Sequence, residues 1–546
     1  MAVKNKEKKQ IISAVSAALI FGSVTGILTA VIITLYKVCA KHIIALSEHG
    51  YHALRGRLYF LPLVACALLL ISFLLAYIYK KKKNLRGGGI PTSIGYLRGL
   101  VSFKWLENLI GIFALSLSSF LFAVPLGNEG PSVQIGTAIG RGTVYTLTKK
   151  RRAWDRYSMT GGACAGFSVA TGSPLSGIMF AIEEAHERIS PMIIMIASVS
   201  VAFSYVTADF LSDIFGVSTR LFPDLHLPSL SLRELWIPLA VGLVFGLFAV
   251  LFLKYYRLLN AVLNRKLKKI PHAYKIFTVF ALTLAFGLYS YSFVSTGHEL
   301  MLSLFDGKTA IFALVLLLLV RSTLTLSASN ASMTGGLFVP TLTIGALFSA
   351  LLGRLLMYIP GFAAEDYAVV LVLGLTACIA GMMKMPLTAI LFALEALSCY
   401  GNIVPCLIVA AVSFIMTELF GVASINENVL DHRIERIHAG KKVTVVDKTV
   451  TVKQGSFAID KQIRDIFWPA NFFILSMRRQ KLYDADMDEH SRRELQEGDL
   501  LHIRYSTYNQ EKTEEELAAL IGRQDSSVSL KSTNDGRHTH EADRAF

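Results

Sequence analysis

One glutamate stands where a helix start and an anion site would coincide. It lies in the string Gly127-Asn128-Glu129-Gly130-Pro131. Proline suits the start of a helix, because its missing N–H needs no partner there. Glycines beside it let the backbone approach a ligand closely. A helix that begins here inside a membrane aims free N–H groups and a positive dipole end at the space before it. That arrangement binds anions. The Glu129 carboxylate can occupy the same place, and protonation would release it. Taken alone, the string also fits a structural glutamate favoured by the helix dipole.

Three further strings share this chemistry. Gly87-Gly88-Gly89-Ile90-Pro91 follows an apolar span and a lysine run. Gly172-Ser173-Pro174 opens a helix ending in Glu183-Glu184. Gly335-Gly336-Leu337-Phe338-Val339-Pro340 opens another. The chain also repeats itself. From Pro174 and again from Pro386, the order Pro-Leu-hydroxyl-small-Ile-apolar-Phe-Ala-apolar-Glu recurs. Pro131 precedes Gly136 by five residues, as Pro340 precedes Gly345, and the two sets are about 210 residues apart. The spacing predicts helix N-termini at Pro131, Pro174, Pro340 and Pro386. Two related halves with broken helices at matching places are a transporter signature.

These strings need membrane-spanning elements to hold them. Of 546 residues, 53% are hydrophobic and only 17% charged, against about a quarter charged in soluble domains. Apolar stretches run almost without pause from Ile11 to about Gly421. Continuous ones cover 11–38, 59–79, 236–254, 274–293 and 309–327. Gly and Pro interrupt 107–147, 161–183, 335–357 and 371–398. In lipid, a broken backbone hydrogen bond must find another partner, so such breaks belong inside protein or beside a cavity. The expected class is an all-α polytopic membrane protein with a small α+β cytoplasmic domain.

The net charge of +15 does not point to nucleic acid. The basic runs Lys4–Lys9, Lys80–Arg86, Lys149–Arg152 and Arg265–Lys269 sit beside apolar spans, where they stay in the cytoplasm. The N-terminus is therefore expected to be cytoplasmic, and the first apolar stretch reads as a retained helix. Cys39, Cys66, Cys164, Cys378, Cys399 and Cys406 lie in or beside apolar segments without a CxxC pair, as small buried hydrophobes. The tail string His538-Thr539-His540-Glu541 reads as a solvated segment. No metal and no cofactor are implied.

Together the four strings resemble the CLC family of chloride channels and proton–anion antiporters. The family patterns are G-S-G-I-P, G-[KR]-E-G-P, G-S-x-P-x-G-x-x-F-x-x-E-E and G-G-x-F-x-P. The resemblance covers roughly residues 10–430. It implies the CLC fold with two inverted repeats, a homodimer with one pore per subunit, and a place in the cell membrane. Glu129 then matches the external gating glutamate, and Glu184 the internal proton-transfer glutamate of the antiporters. Gly88, Gly89, Ile90 and Pro91, with backbone amides near Gly130, Phe338 and Val339, would line the anion sites.

Three positions depart from the pattern. Gly88 replaces the serine, Asn128 replaces the basic residue before the glutamate, and Asn426 stands where the family has a pore tyrosine. Chloride should then be held less well at the central site, and Gly88→Ser should strengthen it. The string G-N-E-G-P and the missing serine also look like the fluoride–proton branch. Exchange of a halide for protons is the leading expectation, with chloride as the family default and fluoride as the alternative. A passive chloride channel is the rival within the fold.

The chain is expected to divide into an N-terminus (1–10), a transmembrane domain (11–430), a soluble domain (440–522) and a disordered tail (523–546). The soluble part carries strand candidates at Val443–Val446, Val450–Val452, Phe472–Met477 and the end of Leu495–Ile503, then a helix at Glu511–Ile521. It resembles the TrkA-C regulatory domain, which implies a dimerising role or a small-molecule or nucleotide ligand. A potassium-transport subunit would need a filter string such as T-V-G-Y-G, which is absent. A membrane enzyme would have to be built on Glu183, Glu184 and His186, which lack a nucleophile–base set.

Overall fold

The structure is a computed structural model that describes residues 2–148, 152–360, 362–438, 441–479 and 493–524. The string His538–Glu541 and the tail beyond residue 524 lie outside the described residues. The chain forms two compact units. One comprises Ser13–Thr148 and Asp155–Ile437, the other Met1–Ile12, Lys149–Trp154 and His438–Phe546.

The larger unit is built from helices. They are α1 (Ala2–Arg55), α2 (Leu61–Lys81), α3 (Ile90–Leu97), α4 (Trp105–Leu121), α5 (Glu129–Thr148) and α6 (Asp155–Thr171). Next come α7 (Pro174–Phe180), α8 (Pro191–Phe215), α9 (Trp236–Lys266), α10 (His272–Tyr289), α11 (His298–Leu304) and α12 (Ile311–Asn330). The last are α13 (Phe338–Leu356), α14 (Tyr367–Met382), α15 (Pro386–Glu395), α16 (Ile403–Leu419) and α17 (Ile425–His438). Among the described residues, nine helices, some with an adjoining turn, are long and apolar enough to cross a membrane. α8 and α16 are spans that the near-continuous apolar sequence does not separate from their neighbours. The interrupted stretch 107–147 resolves into α4 and α5, and 161–183 into α6 and α7.

Small residues set the closest packing. Gly136 of α5 faces Gly162 of α6, and a Cβ on either would stand 2.0 Å from the other's carbonyl oxygen. Gly140 meets Ser158, and Gly166 meets Ser132, so α5 and α6 run antiparallel with backbones in contact. This is the small-residue packing that membrane helices use in place of a hydrophobic driving force. α1 runs along the pair, parallel to α6 and antiparallel to α5. Thr29 Cγ2 approaches Gly136, Thr25 Cγ2 approaches Gly162, and Thr25 Oγ1 and Ser158 Oγ are 2.9 Å apart.

The repeated Pro–Glu strings make a reciprocal clamp. Glu183, just past α7, accepts hydrogen bonds from the amides of Leu387 (2.8 Å) and Thr388 (2.7 Å) and from the Thr388 hydroxyl. Glu395, at the end of α15, accepts from the amides of Leu175 (2.8 Å) and Ser176 (3.0 Å). Each carboxylate caps the helix opened by the other repeat's proline. α7 and α15 therefore lie antiparallel about a local two-fold relation, with the free N–H groups and dipole of each start matched by a charge.

The smaller unit is α+β. Its sheet has the order β1–β3–β2, all antiparallel, with β1 Thr444–Thr451, β2 Phe472–Arg478 and β3 Leu500–Thr507. One strand joins the two runs at 443–446 and 450–452, leaving out only residues 443 and 452. Helix α18 (Gln510–Ile521) packs Leu517, Leu520 and Ile521 into a core with Val446, Val450, Leu501 and Ile503. Asp499, buried, takes a two-pronged bond from Arg479, at 2.8 Å to each oxygen. That contact raises the Arg479 pKa above its ordinary value. The connection at 152–154 belongs to this unit, with Trp154 edge-on to Phe457 at 5.7 Å.

The clamp can be tested. Removing one carboxylate strips two amides and a hydroxyl of a charged acceptor, at about 1.5–3 kcal/mol per bond before water replaces it. Glu183→Ala is expected to lower the melting temperature of the detergent-solubilised protein more than Glu183→Gln, which keeps one acceptor oxygen. An unchanged melt for Glu183→Ala would show that the clamp carries no stability.

Candidate functional site

The three glycine strings meet backbone to backbone. Gly127 and Gly336 form a two-residue antiparallel bridge, with both N–H···O bonds at 2.8 Å. A Cβ on Gly130 would stand 2.5 Å from Gly336 Cα and 2.9 Å from Gly89 Cα. Residues 89, 130 and 336 thus touch, and α3, α5 and α13 all begin at this point. α5 starts at Glu129 and α13 at Phe338, so Pro131 and Pro340 are third residues rather than first. Both remain within the four amides that lack an intrahelical partner. Pro174 and Pro386 do open α7 and α15, as expected.

Glu129 is fully buried at this junction. A Cβ on Gly127 would stand 2.6 Å from Glu129 Oε2 and 3.2 Å from both Val339 Cβ and Pro340 Cδ. The carboxylate is therefore beside the first turn of α13 as well as its own. Asn128, with its NH2 turned toward Glu129, donates to both carboxylate oxygens. Where the resemblance leads one to expect a cation, an uncharged amide holds the carboxylate.

Neutral side chains buttress the strings. Gly89 N–H donates to Gln134 Oε1 at 2.8 Å, Gln134 Nε2 to Asn108 Oδ1 at 3.2 Å, and Asn108 Nδ2 to the Tyr96 hydroxyl at 2.9 Å. Thr334 donates from N to the Tyr79 hydroxyl (3.1 Å) and from Oγ1 to Leu85 O (2.8 Å). Ser119 Oγ donates to Thr334 O. Sequence reasoning missed Gln134, Asn108, Tyr79 and Thr334. Their signal was a polar side chain at membrane depth, which is expensive without a purpose. Phe338 sits edge-on to Phe167 at 5.2 Å and to Phe392 at 5.8 Å.

Glu184 and Asn426, read separately in the sequence, are brought together. Glu184 lies in a π-helical turn, Ala181–Ala185, that ends α7, and it is 6% exposed. Its Oε1 accepts from Asn426 Nδ2 at 3.0 Å. Arg98 holds the turn by donating to the carbonyls of Glu184 (2.9 Å) and Ala185 (3.1 Å). π-turns displace the following side chains and recur at functional sites. The Asn426 amide thus bonds a carboxylate.

The backbone at Gly88 bears on one expectation. Its φ is +141° and Gly89's is +87°, conformations that side-chain-bearing residues rarely adopt. A Cβ on Gly88 would also stand 3.3 Å from Gln134 Oε1. A serine there does not simply add a donor.

With this geometry in place, the comparisons define the class. The family model for voltage gated chloride channels matches residues 67–418. The chain belongs to this family, the CLC proteins. An H(+)/Cl(-) exchange transporter ClcA of Vibrio parahaemolyticus is 28% identical over 427 residues, 76% of this chain and 90% of the relative. Its counterpart from Vibrio cholerae is 29% identical over 68% of this chain and 81% of the relative. A slow cyanobacterial Cl-/H+ antiporter shares the fold with a TM-score of 0.67 at 23% identity, over 78% of this chain and 98% of that one. A CLC-type fluoride/proton antiporter does so with a TM-score of 0.59 at 18% identity, over 74% and 96%.

Gly88→Ser is expected to destabilise the protein by about 1–3 kcal/mol through strain and crowding. Anion affinity by calorimetry should not rise. A stable Gly88→Ser protein that binds chloride more tightly would overturn this reading of the loop.

Proposed function

We propose that this protein is a secondary antiporter exchanging chloride for protons. The observation that carries the reading is the seat of Glu129, a buried carboxylate where three backbone strings meet, beside two helix starts. A dehydrated anion would seek the same amides. When charged, Glu129 competes with the anion for them. When protonated, it loses its hold on the dipoles and yields the place. One group answering to both ions couples their movements. The exchange activity of the ClcA relatives supports this assignment.

Glu184 is assigned the inner proton transfer. Ionisable residues inside a membrane are functional by default, and Asn426 orients this carboxylate with one hydrogen bond. A passive channel has no use for a second buried proton carrier. Backbone amides near Gly89, Gly130, Phe338 and Val339 are the proposed anion contacts. The lysines ending α2 and the basic end of α9 support a cytoplasmic N-terminus and a cytoplasmic smaller unit in the cell membrane. A homodimer with one pathway per subunit follows from the family resemblance. The three-stranded sheet with its packed helix is compatible with a TrkA-C-like domain that senses a small molecule or nucleotide.

Fluoride is the second reading. Gly88 offers no side-chain donor, and Asn426 directs its amide to Glu184, so the site is poor in side-chain donors. Fluxes of chloride, fluoride and nitrate into proteoliposomes, compared under one proton gradient, distinguish the two.

Glu129→Gln should abolish proton-coupled transport and leave anion movement, because an amide carries no proton yet resembles the neutral state. Uphill proton pumping by this variant would sink the assignment. Glu184→Gln should reduce proton flux by tenfold or more while anion flux falls less, the differential expected when a proton relay is removed from one of two branches. Equal loss of both fluxes in a well-folded protein would make Glu184 structural.

A further inference from the structure

Asn128 leaves the loop before Glu129 without a cation, but α1 brings one. Lys37 Nζ donates to Val169 O (3.2 Å) in the last turn of α6 and to Ser218 O (2.9 Å). An ammonium has three donors, so one N–H remains. The side chain is only half-buried.

The helix registers put Lys37 at the height of Glu129. Thr29 lies against Gly136. Lys37 is eight residues along α1 from Thr29, about 12 Å, and Glu129 is seven back along the antiparallel α5, about 10 Å. α6 gives the same answer. Gly166 meets Ser132, so Val169, three residues on, is level with Glu129, three residues back.

We propose that Lys37 is the fixed cation of the anion pathway's mouth, attracting the incoming anion and offsetting the Glu129 charge in alternation. This rests on Glu129 being the gate. With the N-terminus in the cytoplasm, that mouth is the outer one. When Glu129 is charged, Lys37 faces it. When Glu129 is neutral, the same ammonium faces the anion that replaces it. Among the described residues, the other groups named beside Glu129 carry no charge: Asn128 on its own loop, Val339 and Pro340 on α13, and Tyr36 on α1, whose hydroxyl donates to Ser116 Oγ at 2.7 Å. The bond to Val169 O also makes Lys37 a C-terminal cap of α6. The test must separate that structural role from the electrostatic one.

The measurement is anion uptake by proteoliposomes against anion concentration and pH, for the unmodified protein, Lys37→Arg, Lys37→Met and Lys37→Gln. Loss of the charge should raise the anion KM about tenfold, the lower end of what a charged mouth contributes to local anion concentration, with kcat nearly unchanged. It should flatten the dependence on ionic strength. The midpoint of the pH–rate curve should move to higher pH, because a carboxylate without its counter-charge protonates more readily. Lys37→Arg should restore all three. In a Glu129→Gln background the pH shift should vanish while the KM effect persists. If neutral variants melt at a lower temperature yet keep the KM and pH midpoint, Lys37 is a cap only and the proposal fails. If Glu129→Gln itself still couples protons, the gate assignment fails instead, and the KM of Lys37→Met alone decides the role of Lys37.

Discussion

The membrane unit depends on the contact among Gly89, Gly130 and Gly336. Three helices start where these backbones touch, and no side chain fits between them. A helix start in lipid leaves amides that water cannot reach. Placing three starts together concentrates that cost in one location and turns it into a binding property. The Gly127–Gly336 bridge satisfies two N–H and two C=O groups outright, and Gln134 satisfies the Gly89 N–H. The Glu129 carboxylate is drawn to the amides that remain.

The second pair of broken helices resolves the same problem differently. α7 and α15 also start within the protein, but carboxylates from the opposite repeat cap them. Their strings read like those of α5 and α13 in sequence, and the difference is only in what faces the amides. At α7 and α15 the acceptors are fixed, belong to the partner repeat and make a joint. At α5 the acceptor sits on the helix itself, held by the Asn128 amide. The repeat thus yields one version of the interaction capped across the repeats and one capped from within, and the proposed gate is built on the second.

This explains what the sequence made legible. The break points were visible because Gly and Pro at matched positions have few other uses inside apolar spans. Glu129 and Glu184 were visible because charges there are rare. The Gln134–Asn108–Tyr96 chain was not, since its members come from three helices and no spacing links them. The partnership of Glu184 with Asn426 joins positions 242 residues apart and depends on how α17 returns to α7. Gly88 is a different case. Its residue type shows the missing hydroxyl, and its φ of +141° adds, beyond what the sequence shows, that a side chain there would be strained. The strands of the smaller unit were visible as alternating branched residues, but the sheet order β1–β3–β2 was not, because pairing is set by tertiary packing.

The side chains around the site share one property. Gln134, Asn108, Asn128, Asn426, Tyr79 and Thr334 are all neutral hydrogen-bonding groups, and each is engaged by protein. Neutral groups hold geometry without setting a field, so the local electrostatics rest on the helix starts and the charged groups already named, Glu129, Glu184, Lys37 at the last turn of α6 and Arg98 at the Glu184 turn. A cation in direct contact with Glu129, at residue 128, would pin it in one protonation state. An amide at residue 128 grips the carboxylate without that penalty, and a cation one helix away biases it without closing on it. On the proposed gate role, the placement of charge follows the requirement that Glu129 bind, release and bind again.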